Sequence, residues 1–526
     1  MNEVKRMIGM AGAVLLAGTA LAGDAVKREC WCWLIDSMGS EAEYAKATNI
    51  VQRAAASGYN ALVLSGGEHM YWQAPRLERV KRLDAYMKTL GMELIPCGWS
   101  SGYGGTASYA IPDVVESTPM KGLRYKVSGG RGQFVADAVV TGLEGQVLTN
   151  SLSLNLSGKI KPHRTYLFSC RCRTERIDPV KYYSVRGNIF HLEKGKSKEW
   201  ELYDFPVTAT QDWKTYEWEF NTYGTDELNI TVALNRNLKV SGVCWFDSIK
   251  VEELPLSRCL TEEDWSKPVV RSAATGKVYA EGVDYEPFPR MKSAKRSAQA
   301  IEIVLKRGGA IAEGEELLVD CHVPAIQGAK QFSLCPSCAS LEEYWRKTVR
   351  NTEEAIHPKR WLMSVDEWRV ANRCAKCRAR KVSPGRLMGE SVARFSAIVR
   401  EVNPKADVCA WADMFCPLEN AGRNPYYCVD GSMLDSWEYV PKDLVMVPWM
   451  NGRDVVKTTN WLMERGFRCV AGGYYNYPDL SRDIVWRDAC KDNPLFLGMM
   501  FTTWGGAYAD GGYYDLEKYG QMVHEK

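Results

Sequence analysis

The chain predicts an α/β fold: a (β/α)8 TIM barrel interrupted after its third strand by an all-β insertion. Three observations carry that expectation. Short apolar runs alternate with amphipathic helical segments at both ends of the 526-residue chain, which is the rhythm of a parallel sheet covered by helices. Between them lies a long stretch of short alternating segments with almost no helical period, as antiparallel β structure shows. Strand-like runs number three before that stretch and five after it, the eight that a barrel requires.

Taken in order, the opening MNEVKRMIGMAGAVLLAGTALAGDA has a charged start, an apolar stretch and Ala20-Leu21-Ala22 as a small-residue cleavage site. This predicts a signal peptide over 1–22 and an exported chain, periplasmic or extracellular. The first part of the barrel spans 23–115, with strands CWCWLID (30–36), NALVLSG (60–66) and ELIPCGW (93–99) separated by helices over 43–58 and 76–91. Residues 116–254 read as a β-sandwich, from segments such as TYLFSCRCRTE, DWKTYEWEF, LNITVAL and GVCWFDSIKVEE, and 255–328 as a small β-rich domain. The barrel resumes over 329–526 with strands RWLMSVDE (360–367), DVCAWADMF (407–415), LVMVPWM (444–450), RCVAGGYY (468–475) and LFLGMMFTTWGG (495–506). An open doubly wound sheet is the competing fold. It asks for a glycine-rich phosphate turn after the first strand, and SMGSEAEY is not one.

Lys and Arg total 67 against 64 Asp and Glu, spread along the chain, so nothing marks a nucleic-acid partner. No later run is apolar for the roughly 18 residues of a membrane span. The 18 Trp and 26 Tyr are more informative, because flat aromatic faces suit the apolar faces of sugar rings, although packing accounts for most of them. The 17 cysteines are an odd number, which leaves at least one outside an internal disulfide. Cys335-Pro-Ser-Cys338 and Cys374-Ala-Lys-Cys377 have zinc-knuckle spacing. In an exported chain two disulfides, or thiols that never meet, stand against that reading, and no metal or other cofactor is assigned.

The chemistry of a TIM barrel lies at the carboxyl ends of its strands. Those ends carry, in order, Asp36, Ser65 with Glu68, Trp99, Asp366 with Glu367, Trp411 with Asp413, Trp449, Tyr474 with Tyr475, and Trp504. Any one of these alone is more often core or cap; their coincidence at one rim makes an aromatic bowl with a few acids, the expected shape of a saccharide site. In the adjacent pair Asp366-Glu367 each negative charge disfavours the other, which keeps a proton on one of them near neutral pH. Ordinary retaining glycosidases set acid and nucleophile on opposite sides of the sugar, about 5 Å apart. Neighbours in sequence fit better where the substrate's own 2-acetamido group attacks.

A strand 4 ending in Asp-Glu, a strand 5 ending in Trp-x-Asp and Trp or Tyr at later ends resemble the family 20 β-N-acetylhexosaminidases. The resemblance implies that Glu367 is the general acid/base and that Asp366 orients the acetamido nitrogen. It further implies that Trp411, Trp449 and Trp504 wall the sugar pocket, that Tyr474 or Tyr475 reaches the acetamido oxygen, and that Asp413 binds a hydroxyl or supports the site. Asp36 and Trp99 complete the expected substrate-binding set. The chain departs from the family in carrying Leu362-Met363-Ser364-Val365 where members have His and two Gly, and Gly505-Gly506 where many have Glu. DWKTYEWEF and VCWFDSIKVEE are similar to the closing strands of jelly-roll carbohydrate-binding modules, which also serve as spacers. The expectation is therefore an exported hydrolase of a terminal 2-acetamido hexose in an oligosaccharide, polysaccharide or glycoconjugate, working by substrate-assisted retention. A double-displacement glycosidase and a non-catalytic sugar-binding barrel are the alternatives.

Overall fold

The computed structural model describes residues 28–66, 73–98, 101–104, 107–137, 139–141, 146–181, 183–297, 299–328, 331–449, 454–474, 479–504 and 512–525. The expected signal peptide therefore lies outside the described residues. Eight parallel strands close into a barrel: β1 (Glu29–Ile35), β2 (Ala61–Ser65), β3 (Glu93–Gly98), β4 (Arg360–Met363), β5 (Asp407–Trp411), β6 (Val445–Val447), β7 (Arg468–Tyr474) and β8 (Phe496–Thr502). Pairing of β1 with β8, Trp31 opposite Met500, shuts the barrel. Pairing of β3 with β4, Leu362 opposite Cys97, joins the halves that flank the insertion.

Both faces of these strands are buried, which is why they read as continuous apolar runs. In β1, Trp31 and Trp33 fill the barrel interior with Ile95, Leu362, Trp411 and Met500. Cys30, Cys32 and Leu34 face the layer of surrounding helices. Those helices are α1 (Glu41–Ala56), α2 (Ala74–Thr89), α3 (Ala339–Ile356), α4 (Pro384–Val402), α5 (Val455–Met463), α6 (Ser481–Cys490) and α7 (Leu516–His524). Several starts are written locally: a Ser40–Glu43 capping box for α1, Ser383 with Pro384 for α4, and Asp454 for α5. No α-helix follows β5. The segment 412–443 instead carries two 3-10 turns and the short strand Cys428–Val429. That leaves a long loop over the carboxyl end of the barrel.

The insertion leaves after β3 and returns before α3, and it is nested. Strand Ser117–Ser128 pairs with Glu316–Pro324 in a five-stranded sheet with Arg131–Phe134, Val269–Ser272 and Ile303–Val304. The expected boundary at 116 assigned Ser117–Phe134 to the sandwich; the pairing puts these residues in the smaller β domain, and the sandwich occupies 139–253 within it. Its four-stranded and five-stranded sheets close over one core, where Trp218 of one stacks on Tyr203 of the other with ring centroids 4.7 Å apart. Gly187 lies directly under that indole, where any Cβ would collide. The sandwich also touches the barrel. Trp200 stacks on Tyr427 of the long loop at 4.0 Å, and Glu199 pairs with Arg373, both almost fully buried. No helix among the described residues is long and apolar enough to cross a membrane.

Candidate active site

Past the end of β4, the chain runs Ser364-Val365-Asp366-Glu367 onto the rim. Glu367 has φ +45°, a left-handed conformation that costs a residue with a Cβ roughly 1–2 kcal/mol. Its neighbours hold it there. The Glu367 N–H donates to Asp413 Oδ2 at 3.2 Å, and its carbonyl accepts from Gln331 Nε2 at 3.4 Å. Gly102, in the loop after β3, packs against the same backbone; a Cβ there would strike the Asp366 carbonyl and lie 2.8 Å from that of Glu367. Strain held by several neighbours at once is what functional positions show.

Three carboxylates meet here, and each is held differently. Asp366 is 8% exposed and accepts from Ser364 Oγ at 2.9 Å. Burial first, and then the charge of Glu367, push its pKa up to about 6. Asp413, on the turn after β5, is fully buried; its Oδ2 also accepts from Asn420 Nδ2 at 2.7 Å, while Oδ1 has no partner among the described residues. Burial, and then the charge of Asp366, raise it well above the usual carboxylate range. Glu367 is the accessible member and, among the described residues, the only one paired with a cation: Arg369 Nη2 lies 2.7 Å from its Oε2, which also accepts from the Tyr103 hydroxyl. Arg369 is fixed in turn by Gln331 Oε1 at 2.8 Å and by the face of Tyr427 at 4.8 Å. The Tyr426 hydroxyl is buried without a partner among the described residues, within the fields of Glu367 and Asp413.

The aromatic residues form one cluster. Trp411 lies 5.2 Å from Trp33 and 6.1 Å from Trp504, Trp33 lies 5.8 Å from Trp504, and Trp449 lies 6.5 Å from Trp504. Trp33 and Trp411 are almost wholly buried, so they form a floor, whereas Trp449 and Trp504 are half-buried and serve as wall. The indole N–H groups of Trp33, Trp411 and Trp449 are buried without acceptors among the described residues. Orphaned donors of that kind are costly in a core, and here three belong to one cluster at the barrel mouth.

Of the expected substrate-binding residues, Asp413, Trp411, Trp449 and Trp504 stand in this constellation. Asp36 has a local job: its Oδ1 accepts from the Met38 N–H at 2.8 Å, shaping the turn from β1 into α1. Burial raises its pKa above the usual range. Trp99, Glu68 and Tyr475 lie outside the described residues, as does the side chain of Tyr474, whose backbone ends β7 opposite Thr502. Sequence reasoning missed Trp33, Tyr103, Gln331, Arg369 and Tyr426. A signal existed for Arg369, a cation two residues past an acidic pair. None existed for Gln331, which reaches the rim from the returning end of the insertion.

No family model matches the chain, and no curated protein matches it significantly. Among solved structures it is similar to a chitobiase from Flavobacterium johnsoniae, at 7% identity and TM-score 0.40, covering 94% of this chain and 47% of that one. An exo-β-N-acetylglucosaminidase from Vibrio harveyi aligns at 8% identity and TM-score 0.40, covering 95% and 55%. A β-N-acetylhexosaminidase from Bacteroides fragilis aligns at 11% identity and TM-score 0.40, covering 95% and 66%. The chain thus spans about half to two thirds of the length of these proteins. Similarity at that level assigns no chemistry, which has to come from the side chains themselves.

Proposed function

We propose that the chain is a glycoside hydrolase acting on a terminal 2-acetamido hexose by substrate-assisted retention, with Asp366 and Glu367 as the catalytic pair. The observation that carries this reading is the graded set of carboxylates over the indole cluster: Asp413 buried, Asp366 nearly so, Glu367 accessible and cation-paired. In the proposed reaction Glu367 first takes up a proton, against the pull of its Arg369 partner, and delivers it to the glycosidic oxygen. It is reached by a sugar that takes the place of Tyr103, the more exposed of its two partners. The acetamido oxygen attacks the anomeric carbon while Asp366, as carboxylate, accepts the acetamido N–H. Water then opens the ring intermediate with Glu367 as base. Asp413 holds the Glu367 backbone in its left-handed turn, and Trp449 and Trp504 pack against the sugar faces.

The double-displacement alternative needs a carboxylate nucleophile from another strand. The first carboxylate after β7 is Asp479, whose Oδ1 accepts from Ser481 N at 3.2 Å and Ser481 Oγ at 3.0 Å at the start of α6. Export rests on the leader-like residues 1–22, and sugar binding by the sandwich rests on its resemblance to carbohydrate-binding modules; both belong to the same proposal. A panel of nitrophenyl glycosides tests it. Turnover of the 2-acetamido-2-deoxy-β-hexosides and not of their 2-hydroxy counterparts is expected. Turnover of 2-hydroxy sugars alone, or of none, overturns it.

A further inference from the structure

A second buried cluster lies behind the active-site loop. Cys335 comes just before α3, Cys374 and Cys377 bracket the first turn of a short helix (Ala375–Ala379), and Glu116 sits where the insertion leaves the barrel. All four are buried, and one ligand atom from each lies within 4.8 Å of every other. Cys335 Sγ is 3.4 Å from Cys374 Sγ and 3.6 Å from Cys377 Sγ, and Glu116 Oε2 is 3.6 Å from Cys377 Sγ.

Those separations decide between the readings the spacing leaves open. A disulfide holds its sulfurs about 2.05 Å apart. Zinc–sulfur bonds of about 2.3 Å and zinc–oxygen bonds of about 2.1 Å give tetrahedral edges of about 3.8 Å between sulfurs and about 3.6 Å between sulfur and oxygen. The cluster is a few tenths tight on the first edge and matches the second. The zinc-knuckle spacing itself names the wrong fourth ligand: Cys338 Sγ turns away, to within 3.9 Å of Glu263 Oε1.

Charge points the same way. Glu116 Oε1 accepts from the backbone N–H groups of Arg373 and Cys374, which fixes the carboxylate and aims Oε2 at the sulfurs. Among the described residues no lysine or arginine pairs with it: Arg373 is taken by Glu199 and Lys376 by Glu263. A buried carboxylate without a cation is unfavourable, and a divalent ion bonded to it gives it a counter-charge in direct contact, the whole set carrying the same net charge as a four-thiolate zinc site. The supporting contacts of such a site are present as well, since Cys377 N–H donates to Cys374 Sγ at 3.3 Å and Ser337 Oγ lies 3.3 Å from Cys377 Sγ.

We propose that Glu116, Cys335, Cys374 and Cys377 bind one zinc ion in a closed structural site. Binding releases the thiol protons to solvent, and four protein ligands leave no open position for catalysis. The ion ties the root of the insertion to the segment that leaves the active-site rim, so it fixes the loop that carries Arg369.

The test uses the full chain, purified under reductant and without chelator. Elemental analysis is expected to find about one zinc per chain, and Cys335→Ser, Cys374→Ser and Cys377→Ser to lose it. Glu116→Gln is expected to weaken zinc retention against a competing chelator at least tenfold, while Cys338→Ser keeps the full content. Should the serine variants fail to fold, cobalt substituted into the parent protein reports the site through intense thiolate-to-metal absorption, and Cys338→Ser remains readable. Zinc lost in Cys338→Ser but kept in Glu116→Gln overturns the ligand assignment. A metal-free parent protein with a mapped disulfide among these cysteines overturns the site. Neither readout depends on glycosidase activity, so the two proposals fail separately.

Discussion

The barrel mouth and the sulfur cluster share the stretch of chain from Asp366 to Cys377, and they handle charge in opposite ways. At the mouth, Glu367 has a cation and an exposed side, and the buried Asp366 and Asp413 are pushed toward their neutral forms. Behind it, Glu116 and three cysteines are sealed from water with no cationic side chain given to them among the described residues. A site that must pick up and release protons keeps one acid open to solvent; a site that only holds the chain closes its coordination. On the proposed readings the first responds to pH and substrate, and the second to chelators.

The largest expected effect breaks the mouth at its accessible acid. Glu367→Gln should lower kcat/KM on substrates with poor leaving groups by at least about 10²–10⁴-fold, the range of general acid catalysis. It should leave more activity on activated aryl glycosides, whose departure needs little protonation. Equal losses on both substrate types, measured side by side, would remove Glu367 from the acid role.

Next comes the backbone that aims it. Gly102→Ala puts a methyl into the Asp366 carbonyl, so the loop after β3 and the strained turn must separate. Displacements near 1 Å at reacting groups cost about 100-fold. We expect a loss of that order in kcat with zinc content unchanged. Full activity in Gly102→Ala would show that the left-handed turn at Glu367 is not needed.

How much of this was legible in the sequence differs between the same two regions. Barrel strands buried on both faces give continuous apolar runs, so their number and order could be read directly, and with them the carboxylates at the ends of β4 and β5. Alternation in the insertion gives the period but not the partner. Ser117–Ser128 therefore looked like a sandwich strand until its pairing with Glu316–Pro324 was seen. The counter-charge at the mouth, Arg369, lies two residues past the acidic pair, but the neutral partners Tyr103 and Gln331 were hidden because they arrive from loops distant in sequence. For the sulfur cluster, spacing pointed to the cysteines, yet one of the four is replaced by Glu116, whose approach only the nested insertion creates.

Arg369→Met sharpens the contrast through pH. Arg369 lowers the Asp366 pKa, opposing the burial that raises it to about 6. Removing the guanidinium should raise that pKa further. Where activity needs ionised Asp366, the acidic limb of the kcat profile should start near pH 6 in the parent protein and move upward by roughly half to one unit in the variant. A limb that stays in place would uncouple Asp366 from the rate.

The smallest effect is on stability, and its sign is opposite to that of a salt-bridged acid. The folded-state pKa of Asp366 is raised above the unfolded value of about 3.9. The folded chain therefore binds this proton more tightly than the unfolded chain. The contribution is fully favourable below about pH 4, and it is lost as pH rises through about 6. Asp366→Asn keeps an acceptor for Ser364 Oγ and removes the buried charge. Its stability relative to the parent should be near zero difference at pH 4 and should grow to a gain on the order of 2 kcal/mol by pH 7, seen as a rise of a few degrees in Tm. The substitution also removes the charge that helps to raise the Asp413 pKa, so the pH-dependent difference between the two proteins reports the Asp366–Asp413 pair together. A gap of the same size at both pH values would mean that the variant acts through packing, and the mouth would lose its claim to be the proton-responsive member of the pair.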